Sequence, residues 1–527
     1  MIKSAEKLEF RLNKFSEFMN QHSWISKGFL ILLAVAYCLP ALLAPFWVGN
    51  DAWSNLLPVI HFRDSILNNH SLPLYTDLWY GGRLQWANPL WSFFYIPATL
   101  IQLITPLDWG VRIVYLGHLI FILLTARKLA SIFFNNEIEK IAASIILASP
   151  ILPAFTAGQN EKIMSWGWVL LALYFLLNEK LTSSQRGLSS GICLGIIPLT
   201  GSNYFVVYLG LFLLPLVFSY KKNKIFVFLI LGSLIGLTHV PTVLHLIGQE
   251  RGNAEESIKL LSLSFTGIFT SLSIGLAKPM GWETWAPIGI PMVYLFLKSM
   301  VLKAKSFVTQ KQVVVTMQQK ALVLALLPLT LLATGIAYQG HHFLDLFRAP
   351  SRALPFIALG VTLYVFIEIS ANTSSKFRNM YLLTSALQIG ILSFMIQPIG
   401  TLYGSHDPQA QYAANIFKAD KADNVWISMR ELNDMYIQVV FNQNGFGLPN
   451  VYYGDMGQVV KIEGNYCGYS FDHLLAPPPV DTQFIDLVAD MDWSDTKGKI
   501  PLSDLTLIQQ TEINGIPYNF YRVICNN

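Results

Sequence analysis

Long apolar runs separated by short polar loops dominate the first four hundred residues. They lie at roughly 28–47, 111–128, 141–157, 162–178, 187–203, 204–220, 225–247, 286–302, 321–337, 353–370 and 380–400. Each is about the length an α-helix needs to cross the hydrocarbon core of a bilayer, so the pattern predicts about eleven transmembrane helices. Lysines and arginines cluster in alternate loops: Arg127-Lys128 with Lys140, Glu179 to Arg186, Lys221-Lys222-Lys224, the acid-free stretch Lys298 to Lys320, and Lys376-Arg378. Simple alternation puts all of these on one side, which the positive-inside rule makes cytoplasmic. The segment 1–27, with Lys3, Lys7, Arg11, Lys14 and Lys27, falls on the same side. The run after it lacks a small-x-small cleavage pattern and reads as a retained span.

One run does not alternate. Leu90 to Ile104 follows Asn88-Pro89, is short, and would invert every later loop if it crossed. It is expected to lie on or dip into the outer surface, with Trp91 and Tyr95 at the interface. Ahead of it Trp53, Leu56, Leu57, Ile60 and Leu67 recur at helical spacing, while Asn55, Arg63 and Asp64 fall elsewhere on the wheel. The first outer loop, 49–110, therefore carries two surface helices.

The same parity places Ala157 to Trp166, a brief turn near Gly201-Ser202-Asn203, Ile247 to Trp285 and Tyr338 to Ala353 outside, and exports the chain beyond about Thr401. The tail, 403–527, has soluble composition, a linker-like Pro477-Pro478-Pro479, and strand-like stretches "MYIQVVF" and "NFYRVIC". The predicted fold class is an all-α polytopic membrane protein, its membrane part spanning 28–402, with a C-terminal extracytoplasmic α/β domain. No period of twenty to fifty residues repeats, and inverted transporter repeats are not visible.

Composition agrees: 53% of the 527 residues are hydrophobic and only 13% charged, against about 25% charged in soluble domains. The net charge of +4 is spread over short loops, which argues against a nucleic-acid partner. Cys38 and Cys193 lie in apolar runs as small core residues. Cys467 and Cys525 lie in the tail, where a disulfide requires an extracytoplasmic location.

A cytoplasmic N-terminus, an acid just past the first span, a long outer loop with surface helices, many spans and an outer tail together resemble the GT-C superfamily of lipid-phosphosugar-dependent glycosyltransferases. The loop "NDAWSNLLPVIHFRDSILNNHSLPLYTDLWYGGRLQWANPLWSFFYIP" is similar to that of bacterial YfhO-like membrane proteins: Asp51, a helix, Pro73-Leu74-Tyr75, Gly81-Gly82, and Asn88-Pro89 before an aromatic helix. "AGQNEKIMSWGWVLLAL" at 157–173 and "GHHFLDLFRAPSRAL" at 340–354 agree. The resemblance covers roughly 28–400. It implies transfer of a sugar from a polyprenyl phosphate to a glycan, lipid or protein of the cell envelope, at the outer face of the plasma membrane.

That chemistry needs a carboxylate base, cations for a departing phosphate, and aromatic surfaces for sugar and lipid. Asp51, at the outer membrane boundary, is the candidate base; its position equally suits an N-cap before Ala52-Trp53. Glu161, in the second outer loop, is the second candidate acid; otherwise it is an exposed loop glutamate beside Lys162. Arg348 and Arg352 could present two guanidiniums to one phosphate from a turn entering a helix, or snorkel from a helix end. Arginines on the outer side run against the positive-inside trend. Lys278 is a further cation of this kind, His341-His342 could donate hydrogen bonds or be solvated, and Trp282 could stack on a sugar or simply mark the interface.

No His-x-x-x-His or Cys-x-x-Cys set occurs, so a metal is supported at most as a hard Mg or Mn ion shared by Asp51 and Glu161. The rival function is a transporter or flippase of a lipid-linked envelope precursor. It would be favoured by charges inside the spans, which hold almost none. A third is a scaffold whose tail binds wall polymers.

Overall fold

The computed structural model describes residues 17–43, 47–48, 59, 62–63, 65–73, 75–76, 83–84, 92–157, 159–239, 261–274, 285–309, 315–338, 350–395, 402–403, 408–422, 425–427, 473–476, 505–513 and 516–524. The helix α1 (Ser23–Leu43) leads to the short strands β1 (Trp47–Val48), β2 (Tyr75–Thr76) and β3 (Arg83–Leu84). Then come α2 (Ile96–Ile104), α3 (Leu107–Ala130), α4 (Glu137–Ala148), α5 (Leu152–Ala157), α6 (Asn160–Leu177), α7 (Ser183–Leu199), α8 (Asn203–Ser219) and α9 (Asn223–Ser233). The bundle continues with α10 (Phe265–Ile274), α11 (Ile290–Val308), α12 (Met317–Ala333), α13 (Leu354–Asn372) and α14 (Ser375–Met395).

Among the described residues each apolar run lies mostly in helix, but not always in one helix. Three helices are long and apolar enough to cross a membrane, at Ser23–Pro40, Trp109–Ala130 and Pro350–Asn372, among the described residues. Shorter apolar helices occupy Asn203–Ser219, Asn223–Thr238, Phe265–Ile274 and Met317–Ala333. Of the expected eleven spans, three are thus borne out by helices both long and apolar enough to cross, among the described residues. Prolines account for part of the difference. The run at 141–157 is α4, a 3-10 turn at Ser149–Ile151 and α5, because Pro150 and Pro153 cannot donate in an α-helical ladder.

Contacts at the helix ends bring several of the basic residues together. At one end Ser26 of α1 donates to Glu137 of α4 (2.6 Å), which also accepts from Arg127 of α3 (2.5 Å) and Lys140 (2.8 Å). Arg378 of α14 donates to the buried Glu139 (2.7 Å). Lys303 of α11 pairs with Glu368 of α13 (2.7 Å), which accepts also from Gln319 of α12 (2.8 Å). Arg186 of α7 donates to the Leu176 carbonyl ending α6 (2.8 Å) and lies 4.0 Å over the Tyr220 ring. The basic loops meet at this end. Capping boxes Thr182–Gln185 and Thr316–Gln319 start α7 and α12 there by satisfying orphan N–H groups.

At the other end β1 pairs antiparallel with β4 (Leu402–Tyr403), so the exits of α1 and α14 are joined. Helix α2 begins later than the run from Leu90 and has nine residues; Arg63 donates to the carbonyls of Gln102 and Thr105 at its C-terminal end. Ile96, Leu100 and Ile104 are exposed on it, which suits a helix lying on a membrane surface. Elsewhere Val227, Leu231, Val301, Leu324, Leu327, Leu387 and Ile391 form an exposed apolar exterior, as lipid-facing surfaces require.

Helix α7 meets α9 through glycines at every fourth position. A Cβ at Gly187 or Gly191 would press into the carbonyls of Ile225 or Leu229, and one at Gly232 would lie 2.5 Å from the Leu188 carbonyl. This is the close backbone approach that small-x-x-x-small spacing allows in membrane helices.

The tail contributes α15 (Pro408–Ala419) and a four-stranded sheet of β5 (Val425–Ile427), β6 (His473–Ala476), β7 (Leu505–Ile513) and β8 (Ile516–Val523), in the order β5-β6-β8-β7 with β5 and β6 parallel. The stretch "NFYRVIC" supplies most of β8, while "MYIQVVF", Pro477 to Pro479, Cys467 and Cys525 lie outside the described residues. Phe417 packs on Phe520, their rings 4.9 Å apart. Beside them Asp420 accepts from Arg522 Nε (2.7 Å) and from His473 Nε2 (2.9 Å).

The Arg522 guanidinium holds the Asp420 carboxyl below the usual carboxylate range, against a small opposing effect of burial and with help from His473. A carboxyl depressed on folding contributes stability that is present above its unfolded value, near 3.8, and is lost as pH falls through the folded value. Below about pH 4, protection of the 505–523 hairpin in the full-length protein against an acid protease is expected to fall. Asp420→Asn should lose protection already at neutral pH and show a flatter acid dependence. Parallel loss in the two proteins would remove Asp420 from that role.

Candidate functional site

The candidate site lies at the end of the bundle opposite the basic loops. Prolines at 150 and 153 break the helical run, and α6 starts afresh at Asn160 with Glu161 and Lys162 in its first turn. An acid there complements the positive end of the helix dipole. Glu161 is 4% exposed and Lys162 3%. The expected exposed loop position of Glu161 is therefore corrected: it is helical and buried. The end of α7 covers it, for the Thr200 hydroxyl donates to the Glu161 carbonyl (3.4 Å). Ser165 donates to the Lys162 carbonyl (3.0 Å) and to the Ser202 hydroxyl (3.3 Å).

Arg352 belongs to the 3-10 turn Pro350–Ala353 that enters α13, in keeping with the expected turn into a helix. Its guanidinium lies 4.9 Å from the Tyr204 ring centre, and the Lys162 ammonium 5.7 Å from the same ring. Tyr204 opens α8 just after the turn at Gly201, whose φ of +89° suits glycine. Three separated segments, at 160–162, 203–205 and 350–352, are thereby brought together.

Between them is a cleft lined by Ile151, Ala154, Lys162, Phe205, Trp285 and Arg352. Its floor is rigid. Trp166, Phe205 and Phe356 pack edge to face with ring centres 5.0 to 6.1 Å apart, and the Trp166 indole donates to the Leu147 carbonyl (3.0 Å).

Of the residues singled out by sequence, Glu161 and Arg352 come to this end of the bundle. Asp51, Lys278, Trp282, His341, His342 and Arg348 lie outside the described residues. Among the described residues no group of three His, Cys, Asp or Glu converges, so a Mg or Mn ion at Glu161 would need further carboxylates from outside them. Trp285, which the sequence offers beside Trp282 as a ring that could stack on a sugar or simply mark the interface, lines the cleft; Lys162 and Tyr204 were not singled out. Lys162 carried the same signal as Arg352, a cation on the outer side against the positive-inside trend. Tyr204 carried none beyond being aromatic near an interface.

No protein-family model matches the chain, and no curated protein matches it significantly. Solved structures do match. The arabinofuranosyltransferase AftD from Mycobacteria superposes with a TM-score of 0.54 at 13% identity over 95% of this chain, which spans 40% of the AftD chain. The Archaeoglobus fulgidus oligosaccharyltransferase with a tethered acceptor peptide gives 0.48 at 13% identity, over 95% of this chain and 75% of that one. The AftD likeness is one of fold alone; the finer likeness to YfhO-like proteins finds no counterpart in these comparisons.

Proposed function

We propose that this chain is an integral membrane glycosyltransferase of GT-C type that moves a sugar from a polyprenyl-phosphate donor to a cell-envelope glycan, lipid or protein acceptor at the outer face of the plasma membrane. The observation that carries this is the gathering of a buried acid, Glu161, with the cations Lys162 and Arg352 at the end of the bundle away from the basic loops, in a chain with the fold of a glycosyltransferase. Positive-inside bias assigns that end to the outer side, with residues 1–27 cytoplasmic, the apolar runs of 28–402 in the membrane, and 403–527 outside.

In this arrangement the acceptor hydroxyl attacks the anomeric carbon, the bond from that carbon to the phosphate oxygen breaks, and the hydroxyl proton passes to a carboxylate, for which Asp51 stands next to the first helix in sequence. The departing phosphate keeps the electron pair, and the Arg352 guanidinium, with Arg348, offsets its charge. Glu161 positions the acceptor or a second-row hydrogen bond. Ionisable groups at the helix ends rather than mid-bundle favour surface chemistry over transport.

Mass spectrometry of envelope glycans and carrier lipids tests this. Cells without the chain should lack one sugar and accumulate its polyprenyl-phosphate form on the outer leaflet, and the gene should restore both. Accumulation on the inner leaflet would make the chain a flippase, and an unchanged profile would end the transferase assignment.

A further inference from the structure

Helix α2 carries no charged residue, and its exposed stripe of Ile96, Leu100 and Ile104 by itself suits either a helix lying flat on a membrane or one entering it. Its packing on α3 decides the direction. Gly110 of α3 meets α2 so closely that a Cβ there would lie 3.2 Å from the Gln102 Cα. One turn further along α3, Val114 shares a buried cluster with Ala98 of α2 and Met164 of α6. One turn further again, His118 Nε2 is 2.9 Å from the Tyr95 hydroxyl. As the α3 number rises from 110 to 118, the α2 number falls from 102 to 95, so the two helices run antiparallel and side by side for the whole length of α2.

That register gives a depth. His118 lies nine residues before Arg127, which pairs with Glu137 among the basic loops, and nine after the exposed Trp109. At about 1.5 Å per residue it is about 13.5 Å from each, near the middle of a hydrocarbon core about 30 Å thick. The nine residues of α2 therefore cover one leaflet, from Tyr95 near the bilayer centre to Thr105 at the surface.

A chain that turns at such depth has to satisfy its polar groups without bulk water. The start of α2 does so: the Tyr95 N–H donates to the Ser92 carbonyl (2.9 Å) and the Thr99 hydroxyl to the Phe93 carbonyl (2.7 Å). Its side chains go further. The Trp168 indole of α6 donates to the Tyr95 hydroxyl (3.0 Å). His118 Nδ1 lies 2.6 Å from the Val114 carbonyl, which can only accept, so Nδ1 carries the proton and Nε2 accepts from Tyr95. Tyr95 and His118 are both buried, and one hydroxyl thus ties the inner end of α2 to both α3 and α6.

We propose that α2 is a re-entrant helix that crosses only the outer leaflet, pinned near the bilayer centre by Tyr95, His118 and Trp168, and that its stripe of Ile96, Leu100 and Ile104 is a contact surface for the acyl chains of that leaflet. Lipid hydrocarbon is the occupant because the stripe is apolar from end to end over the depth where acyl chains lie. Ile113, opposite Leu100 in the register with α3, is exposed as well. Nothing in this depends on the transferase function.

Spin labels at Ile96→Cys, Leu100→Cys and Ile104→Cys, one at a time, test it in full-length protein whose four native cysteines are replaced by alanine. The protein is reconstituted in phosphatidylcholine vesicles, and accessibility to oxygen and to a water-soluble nickel chelate is read by electron paramagnetic resonance. The label at position 96 is expected to be deepest and that at 104 shallowest, the two differing by about 12 Å. Tyr95→Phe and His118→Leu should each raise nickel accessibility at position 96 by about threefold or more and change position 104 little. His118→Gln, which keeps an acceptor for Tyr95, should stay close to the parent. Where His118→Leu fails to fold, Tyr95→Phe, which loses a single oxygen, decides.

Equal depths at the three positions would overturn the re-entrant helix in favour of one lying on the surface. Labels closed to both reagents, with spin–spin broadening between copies, would overturn the lipid contact and make the stripe a face between two chains. An unchanged depth gradient in Tyr95→Phe and His118→Leu would overturn the pin.

Discussion

Asp51→Asn is expected to lower the rate of sugar transfer by about two to four orders of magnitude, the usual contribution of a positioned general base, with little change in the affinity for the lipid donor. The substitution separates the two roles open to this residue. Asn caps a helix about as well as Asp, so a residue that only starts the helix at Ala52 would tolerate it. A base would not, because an amide does not take up the acceptor's proton at neutral pH. Single-turnover transfer at saturating donor, with protein level and melting temperature as controls, reads the difference. A rate within threefold of the parent would leave Asp51 as a cap and shift the base to Glu161.

Glu137→Ala is expected to give a large loss of stability, about 3 kcal/mol or more, as when one partner of a buried ion pair is removed. The side chain is 4% exposed and joins three helices, accepting from Ser26 of α1, Arg127 of α3 and Lys140 of α4. Its backbone N–H also donates to Asn20 (2.8 Å). Burial pushes its carboxyl up, but the hydrogen bonds from Lys140, Ser26 and Arg127 outweigh this and hold it below the ordinary range. It therefore stabilises as a carboxylate, and removing it leaves two cations facing each other. Thermal unfolding in detergent should show a marked drop for Glu137→Ala and a smaller one for Glu137→Gln, which keeps an acceptor for Ser26. Equal melting of all three proteins would show that the cluster contributes nothing.

Much of the fold is legible from the sequence because bilayer insertion is a local property: a run such as 353–370 needs little more than its own side chains to declare itself. The gathering of the basic loops is legible for the same reason, as Arg127, Arg186 and Arg378 each carry their preference alone. What could not be read depends on distant partners. Glu161 and Lys162 look like an exposed loop pair, and only Thr200, Tyr204 and Arg352, from other helices, make them a buried site. The two-residue strands β1 and β4 are too short for any alternation to mark them. The glycines 187, 191 and 195 did carry a readable signal, a four-residue spacing, whose meaning lies in the facing helix α9.

The pairing of Trp47–Val48 with Leu402–Tyr403 also sets an order of events during synthesis. Its two strands leave the ribosome about 350 residues apart, a delay of tens of seconds at ordinary translation speeds. Until the last helix has been inserted, β1 has no strand to close against. A chain that stops before residue 402 can place its helices but cannot clasp its outer end, so premature termination products are expected to be inert rather than partly active.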